Sequence, residues 1–248
     1  MAPKSLLLKI VTCFIAGLTC AALLLLLGNS GTVRWFPPLI VFSFVGILLL
    51  SAIVFPFIWQ YNENRSRINS EKVYRILYAL IRYCIAFNLA SFGWKKVFGL
   101  QFVVPAEIAS RPMNEQSGEW LTWYYFGYSA TFGFIIAALQ IVFSWLLLLQ
   151  RTMLFAGIVL FSMMLHLSLI NVFYGMNAGA LVQSSVTTIG ILFLLLLEYK
   201  KIVAFFFETG SQMPSITNTK LLSKKLVHFL VIILSLLFTI YLKASSDI

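Results

Sequence analysis

Apolar residues run along this chain in long uninterrupted blocks, and polar residues gather between them. A block of about 18 or more apolar residues is long enough to cross a bilayer as a helix. Seven such blocks stand out, at 6–27, 35–59, 76–98, 124–149, 152–174, 179–199 and 226–242. The pattern predicts an all-α, polytopic transmembrane bundle of seven helices. Two helices within 1–60 precede a basic loop at 61–75, four form a core at 76–199, and a second loop at 200–225 leads to a last helix within 226–248. The remaining connections are short apart from 99–123, so chemistry has room only between helices or in the longer loops.

Within the blocks, small and polar residues fall on stripes. Helix three carries Ala79, Ala86, Ala90 and Gly93 on one face with Arg82 among them, helix four carries Gly133, Ala137, Gln140 and Ser144, and helix six carries Gln183, Thr187 and Gly190. Small residues let membrane helices approach closely, so these faces are expected to point into the bundle. Helices one and two, leucine-rich and marked by Pro37, Pro38 and Pro56, read as lipid-facing, and helix seven as peripheral.

Composition removes the soluble classes. Sixty percent of the 248 residues are apolar, ten percent are charged and the mean hydropathy is +0.93, well outside the range of a water-soluble domain. Assigning the connections alternately to two sides puts twelve Lys and Arg on one side and five on the other, with Arg82 inside a span. By the positive-inside rule the N-terminus is cytoplasmic and the C-terminus external. The net charge of +10 is then a topology signal and calls for no nucleic-acid partner.

The first block is read as a retained helix, because it is too long for a cleaved leader; Gly17, three before Cys20, and the leucines after it do not suit a lipoprotein signal. Cys13 and Cys20 are about 10 Å apart on one helix and cannot bridge, and Cys84 stands by itself. Without a Cys-x-x-Cys pair the three read as small buried apolar residues and not as a thiol oxidoreductase.

Candidate chemistry begins with Arg82, since a charge on a membrane helix costs several kcal/mol unless it is paired or faces a wet interior. It is expected to face inward, toward an anionic headgroup or substrate; the alternative is that it snorkels to the inner surface and caps carbonyls. Helical rise places Gln140 near the midplane, His166 somewhat outside it, and Asn171 and Gln183 near the outer surface with Lys95 and Lys96. The expectation is a polar seam opening outward, ringed by Trp94, Trp120, Trp123, Tyr124, Tyr125, Tyr128 and Tyr174 and covered by a loop with Glu107, Glu115 and Glu119. Lys96 and Gln101 suit a quinone carbonyl, a phosphate or a partner's carboxylate, or else anchor the helix at the interface. His166 is expected to hydrogen-bond across helices and not to ligate a metal, since the second histidine, His228, is remote. No catalytic or metal set is read, and no nucleotide loop, serine triad or zinc signature occurs. The tentative ligand-binding set is Arg82, Lys96, Gln101, Gln140, His166, Asn171 and Gln183.

Several of these residues carry a family resemblance. Arg82-Tyr83 with Ala86-Phe87, Gly93, Lys96, Phe98 and Gln101-Phe102, then Gly127-Tyr128-Ser129, then Leu147 to Leu149 with Arg151-Thr152, then Met164, Asn171 and Tyr174 resemble the four-helix core of DoxX-like membrane proteins of the Bacteroidetes type. The resemblance spans helices three to six. It implies a bacterial inner-membrane protein similar to subunits of thiosulfate:quinone oxidoreductase, a family tied to membrane redox and sulfur metabolism. The chain departs from that pattern at Gln140, where the family has a glutamate in helix four, and at Gly175 and Gly179, where the loop after helix five carries aspartate and lysine. The missing carboxylate favours a non-catalytic or degenerate subunit of a membrane assembly, with other inner-membrane proteins and lipid as partners and the external mouth and apolar helices as docking surface. Two alternatives stay open: a quinone-linked oxidoreductase subunit, and a lipid-binding carrier or chaperone. Quinone and phospholipid are the candidate cofactors.

Overall fold

The computed structural model describes residues 5–28 and 37–208, with residues 233, 234, 236, 237, 239 and 240. Every regular element among them is helical, and six helices are long and apolar enough to cross a membrane. The chain is therefore a multi-pass helical membrane protein. The helices are α1 (Leu6–Leu27), α2 (Pro38–Asn64), α3 (Ser70–Val97), α4 (Ala106–Ala109), α5 (Gly118–Gly127), α6 (Ala130–Leu148), α7 (Met153–Phe173) and α8 (Ala178–Leu197). The expected seventh span at 226–242 and most of the loop at 200–225 lie outside the described residues, as do Arg34 and His228, although the six described residues between 233 and 240 are helical. Contacts divide the chain after Ile202; in the second unit Ala204–Glu208 form a π-helical turn.

Two boundaries differ from the hydropathy reading, and capping explains both. The stretch 61–75, expected as a loop, is mostly helix: α2 continues to Asn64, and α3 begins at Ser70 because the Asn69 side chain accepts the Lys72 amide at 3.0 Å. A polar cap beside Glu71 in the first turn starts a helix that hydropathy cannot see. The block at 124–149 is broken at Tyr128, and α6 starts afresh on the Ser129 cap, whose Oγ accepts the Phe132 amide at 3.3 Å. Gly99 and Gly175, at φ of +64° and +61°, end α3 and α7 with the left-handed turn that glycine takes without strain.

Helices α3, α6, α7 and α8 pack in sequence around one core, and α1 fills the seam between α3 and α8. Ile81, Ile85, Leu89, Leu147, Leu160, Ile191 and Leu194 are almost completely buried there. The small-residue stripes make the close approaches: a Cβ at Gly93 would stand 2.6 Å from Ile141, and one at Gly190 would stand 2.8 Å from Ile85. Only the outermost helix, α2, keeps the lipid-facing character expected of the first pair. It packs on α1 and exposes Leu39, Phe44, Leu50 and Phe57.

The expectation that helix one faces lipid is thus corrected. Lys9, Thr12, Ile15, Ala16, Thr19 and Ala22 of α1 are buried. The completely enclosed Lys9 ammonium pairs with the Glu63 carboxylate, donates to Gln60 Oε1 at 2.7 Å and lies 5.3 Å from the Trp59 ring centre. Trp59 Nε1 in turn donates to Ser70 Oγ at 2.9 Å, so this clasp ties α1, α2 and the start of α3 together. Cys84 does not stand by itself either: its sulfur lies 3.5 Å from that of Cys20 across the α1–α3 contact.

Candidate functional site

At the end of the bundle away from Lys9, the helices line a half-open cavity of about 570 Å³, within the range of small-molecule sites. It reaches along α8 from Asn177 to Thr187, about 15 Å of helix, and so penetrates to mid-bundle. Its upper wall comes from Thr122, Trp123 and Phe126 of α5 and from Gln101 and Phe102 of the preceding loop, and its sides from α3, α6, α7, α8 and the last turn of α1.

The chemistry of this space is set by Lys96. Termination of α3 at Gly99 leaves Lys96 in the last turn, and a helical side chain leans back toward its own N-terminus, which here is down into the cavity. Its Nζ donates to Gln140 Oε1 at 2.9 Å and to the Phe92 carbonyl at 3.3 Å, and lies 5.5 Å from the Phe102 ring centre. All of these neighbours are formally neutral, and no Asp, Glu, His or Cys is among the lining residues. Lys95 lies beside it on the same wall.

Asn88 of α3 and Gln183 of α8 form an amide chain that reaches α1. Asn88 Nδ2 donates to Gln183 Oε1 at 2.7 Å, and Gln183 Nε2 donates to the Ala22 carbonyl of α1 at 2.8 Å. Asn171 Nδ2 bonds Ser184 Oγ at 2.8 Å and the Ala180 carbonyl at 3.1 Å. Each such bond between membrane helices contributes on the order of 0.6 kcal/mol, so the network fixes the wall more than it stabilises the fold.

The roof is held by aromatic contacts and by one strained residue. Phe102 has φ of +64°, in the left-handed region, at a cost of about 1–2 kcal/mol for a side chain of this kind. Its ring stacks on Phe126 at 5.2 Å and meets Trp123 edge-on at 6.1 Å. Gly127 is required beneath it, since a Cβ there would stand 2.8 Å from the Phe102 carbonyl oxygen. Beyond Phe102 lies a second recess of about 600 Å³ over the start of α6, and the two spaces share Lys96, Gln101, Phe102 and Phe126. Glu119 accepts from Asn177 Nδ2 at 2.9 Å, which ties α5 to the start of α8.

Of the sequence-read residues, Lys96, Gln101, Gln140, Asn171 and Gln183 lie together on this cavity. Arg82 does not join them, and that expectation is corrected. It sits fourteen residues before Lys96, about 21 Å down the same helix, and donates to the Leu147 carbonyl at 2.9 and 3.3 Å and to the Leu148 carbonyl at 2.7 Å. These are unpaired carbonyls at the C-terminus of α6, where a cation is favoured. Arg82 is a helix cap. His166 is also displaced from the set, because it is exposed on the outer side of α7.

Asn88 was missed by the sequence reading, although the signal was present: Asn88, Phe92 and Lys96 recur every four residues, one face of one helix. Comparison with protein-family models, curated proteins and solved structures gives no match to this chain.

Proposed function

We propose that this chain is a DoxX-like protein of a bacterial inner membrane, a non-catalytic subunit that holds an amphiphilic ligand in its upper cavity. The observation that carries the reading is the cavity itself, where a polar cluster around Lys96 and Gln140 passes directly into apolar walls of Leu89, Ile136, Met164 and Leu167. A molecule with a polar head and a hydrocarbon body matches both parts, and a small polar metabolite matches only the first.

Three further features support it. The cavity lies at the end away from Lys9, Arg65 and Arg82, the end assigned to the outside by the charge asymmetry. Trp120, Trp123 and Tyr124 on α5 have the composition of an interfacial belt. The ionisable lining residues are the cations Lys95 and Lys96, which suit the holding of a polar head. The exposed apolar face of α2 is available to lipid or to a partner helix.

The test is to purify the chain in a mild detergent and analyse what it carries. The reading expects about one amphiphile per chain by native mass spectrometry, lost when Ile136→Trp fills the cavity at unchanged thermal stability. A protein that never retains or accepts an amphiphile contradicts it.

A further inference from the structure

The geometry points to an oxyanion head, a carboxylate or a phosphate monoester, as the group that Lys96 receives. This inference rests on the ligand-holding reading and adds a charge to it. It starts from an imbalance. An ammonium withdrawn from water costs several kcal/mol unless an anion answers it, and at the opposite end of the bundle Lys9 is answered by Glu63. Lys96 has no such partner among the described residues: its hydrogen bonds go to an amide oxygen and a backbone carbonyl, and its neighbour on the wall, Lys95, is a second cation.

The hydrogen-bond directions agree with the charge. Two of the three ammonium protons are used by Gln140 Oε1 and the Phe92 carbonyl, leaving one. Because Lys96 only donates, Gln140 presents its oxygen to it. Gln101 Oε1 is enclosed without a partner, so reversal of that amide breaks no bond to the oxygen and offers Nε2 as a further donor. The remaining ammonium proton and, after that reversal, Gln101 Nε2 are then two donors on one cavity for an acceptor-rich head. Below them Leu89, Ile136 and Met164 continue the cavity as hydrocarbon, which a free anion would leave unfilled. A quinone or an alcohol head would satisfy the donors and leave the charge unanswered.

The experiment titrates the purified protein, freed of ligand in a neutral detergent, with dodecanoate, dodecyl phosphate, dodecanol, decylubiquinone and inorganic phosphate, reading occupancy by native mass spectrometry and thermal shift. At least one charged amphiphile should bind about tenfold tighter than dodecanol, the scale of a charge-assisted hydrogen bond over a neutral one. Whichever of the two leads identifies the head. The preference should disappear in Lys96→Gln and persist in Lys96→Arg. Dodecanol or decylubiquinone binding as tightly as the charged ligands overturns the oxyanion while leaving the amphiphile reading in place. Inorganic phosphate matching dodecyl phosphate overturns the tail. No binding by any amphiphile overturns both. The preference measured on the unaltered protein decides the question even if a Lys96 variant does not fold.

Discussion

Lys96 Nζ donates to Gln140 Oε1 at 2.9 Å, joining the last turn of α3 to the middle of α6 inside the membrane-spanning bundle. Because Gln140 is a neutral amide, this bond holds the cation in place without neutralising it. The cavity's chemistry follows from a cation that is positioned but not answered by a carboxylate.

Gln140→Leu should lower the midpoint of thermal unfolding in detergent. It leaves the Lys96 ammonium short of a partner, a loss of about 1–3 kcal/mol. Lys96→Met added to Gln140→Leu removes the stranded cation, and the double variant should be more stable than Gln140→Leu alone. A double variant whose loss equals the sum of the two single losses would show that the pair is not coupled.

Arg82→Leu should destabilise the bundle by about 1–2 kcal/mol, because the α6 carbonyls of Leu147 and Leu148 lose their donor. Arg82→Lys should recover part of that, as a cation without the guanidinium fork. Thermal unfolding in the presence and absence of ligand checks both parts. If Arg82→Leu abolished ligand retention at unchanged stability, the capping role would be wrong.

Cys20 and Cys84 should cross-link when the membrane-embedded protein is treated with copper-phenanthroline. Their sulfurs are 3.5 Å apart and need move only about 1.5 Å to reach bonding distance. The product loses two hydrogens, and α1 stays joined to α3 after proteolytic cleavage between them until reductant is added. A chain in which Cys13 pairs with Cys84, or in which nothing pairs, would contradict the register of α1 against α3.

Periodicity made part of this molecule legible. The interior faces of α3, α6 and α8 follow from stripes such as Ala137, Gln140 and Ser144, all almost fully buried, because burial in a bundle is a property of one helix's own face. Other features depend on which helix lies opposite. Whether α1 faces lipid or closes the gap between α3 and α8 is decided by partners such as Ala22 with Gln183, which are 161 residues apart. Lys9 looked like a flanking topology charge, although Gln60 and Glu63, three residues apart on one face of α2, are its matching partners. Arg82 was ambiguous for a different reason. A side chain of that length can serve the pocket or a helix end, and the free carbonyls of α6 took it.

The most direct test compares ligand retention in Lys96→Gln and Arg82→Leu, purified in parallel from the same membranes and weighed by native mass spectrometry. The account predicts that Arg82→Leu keeps the bound amphiphile carried by the unaltered chain and Lys96→Gln loses it while remaining folded. Retention by Lys96→Gln together with loss from Arg82→Leu would contradict the assignment of the cavity to Lys96.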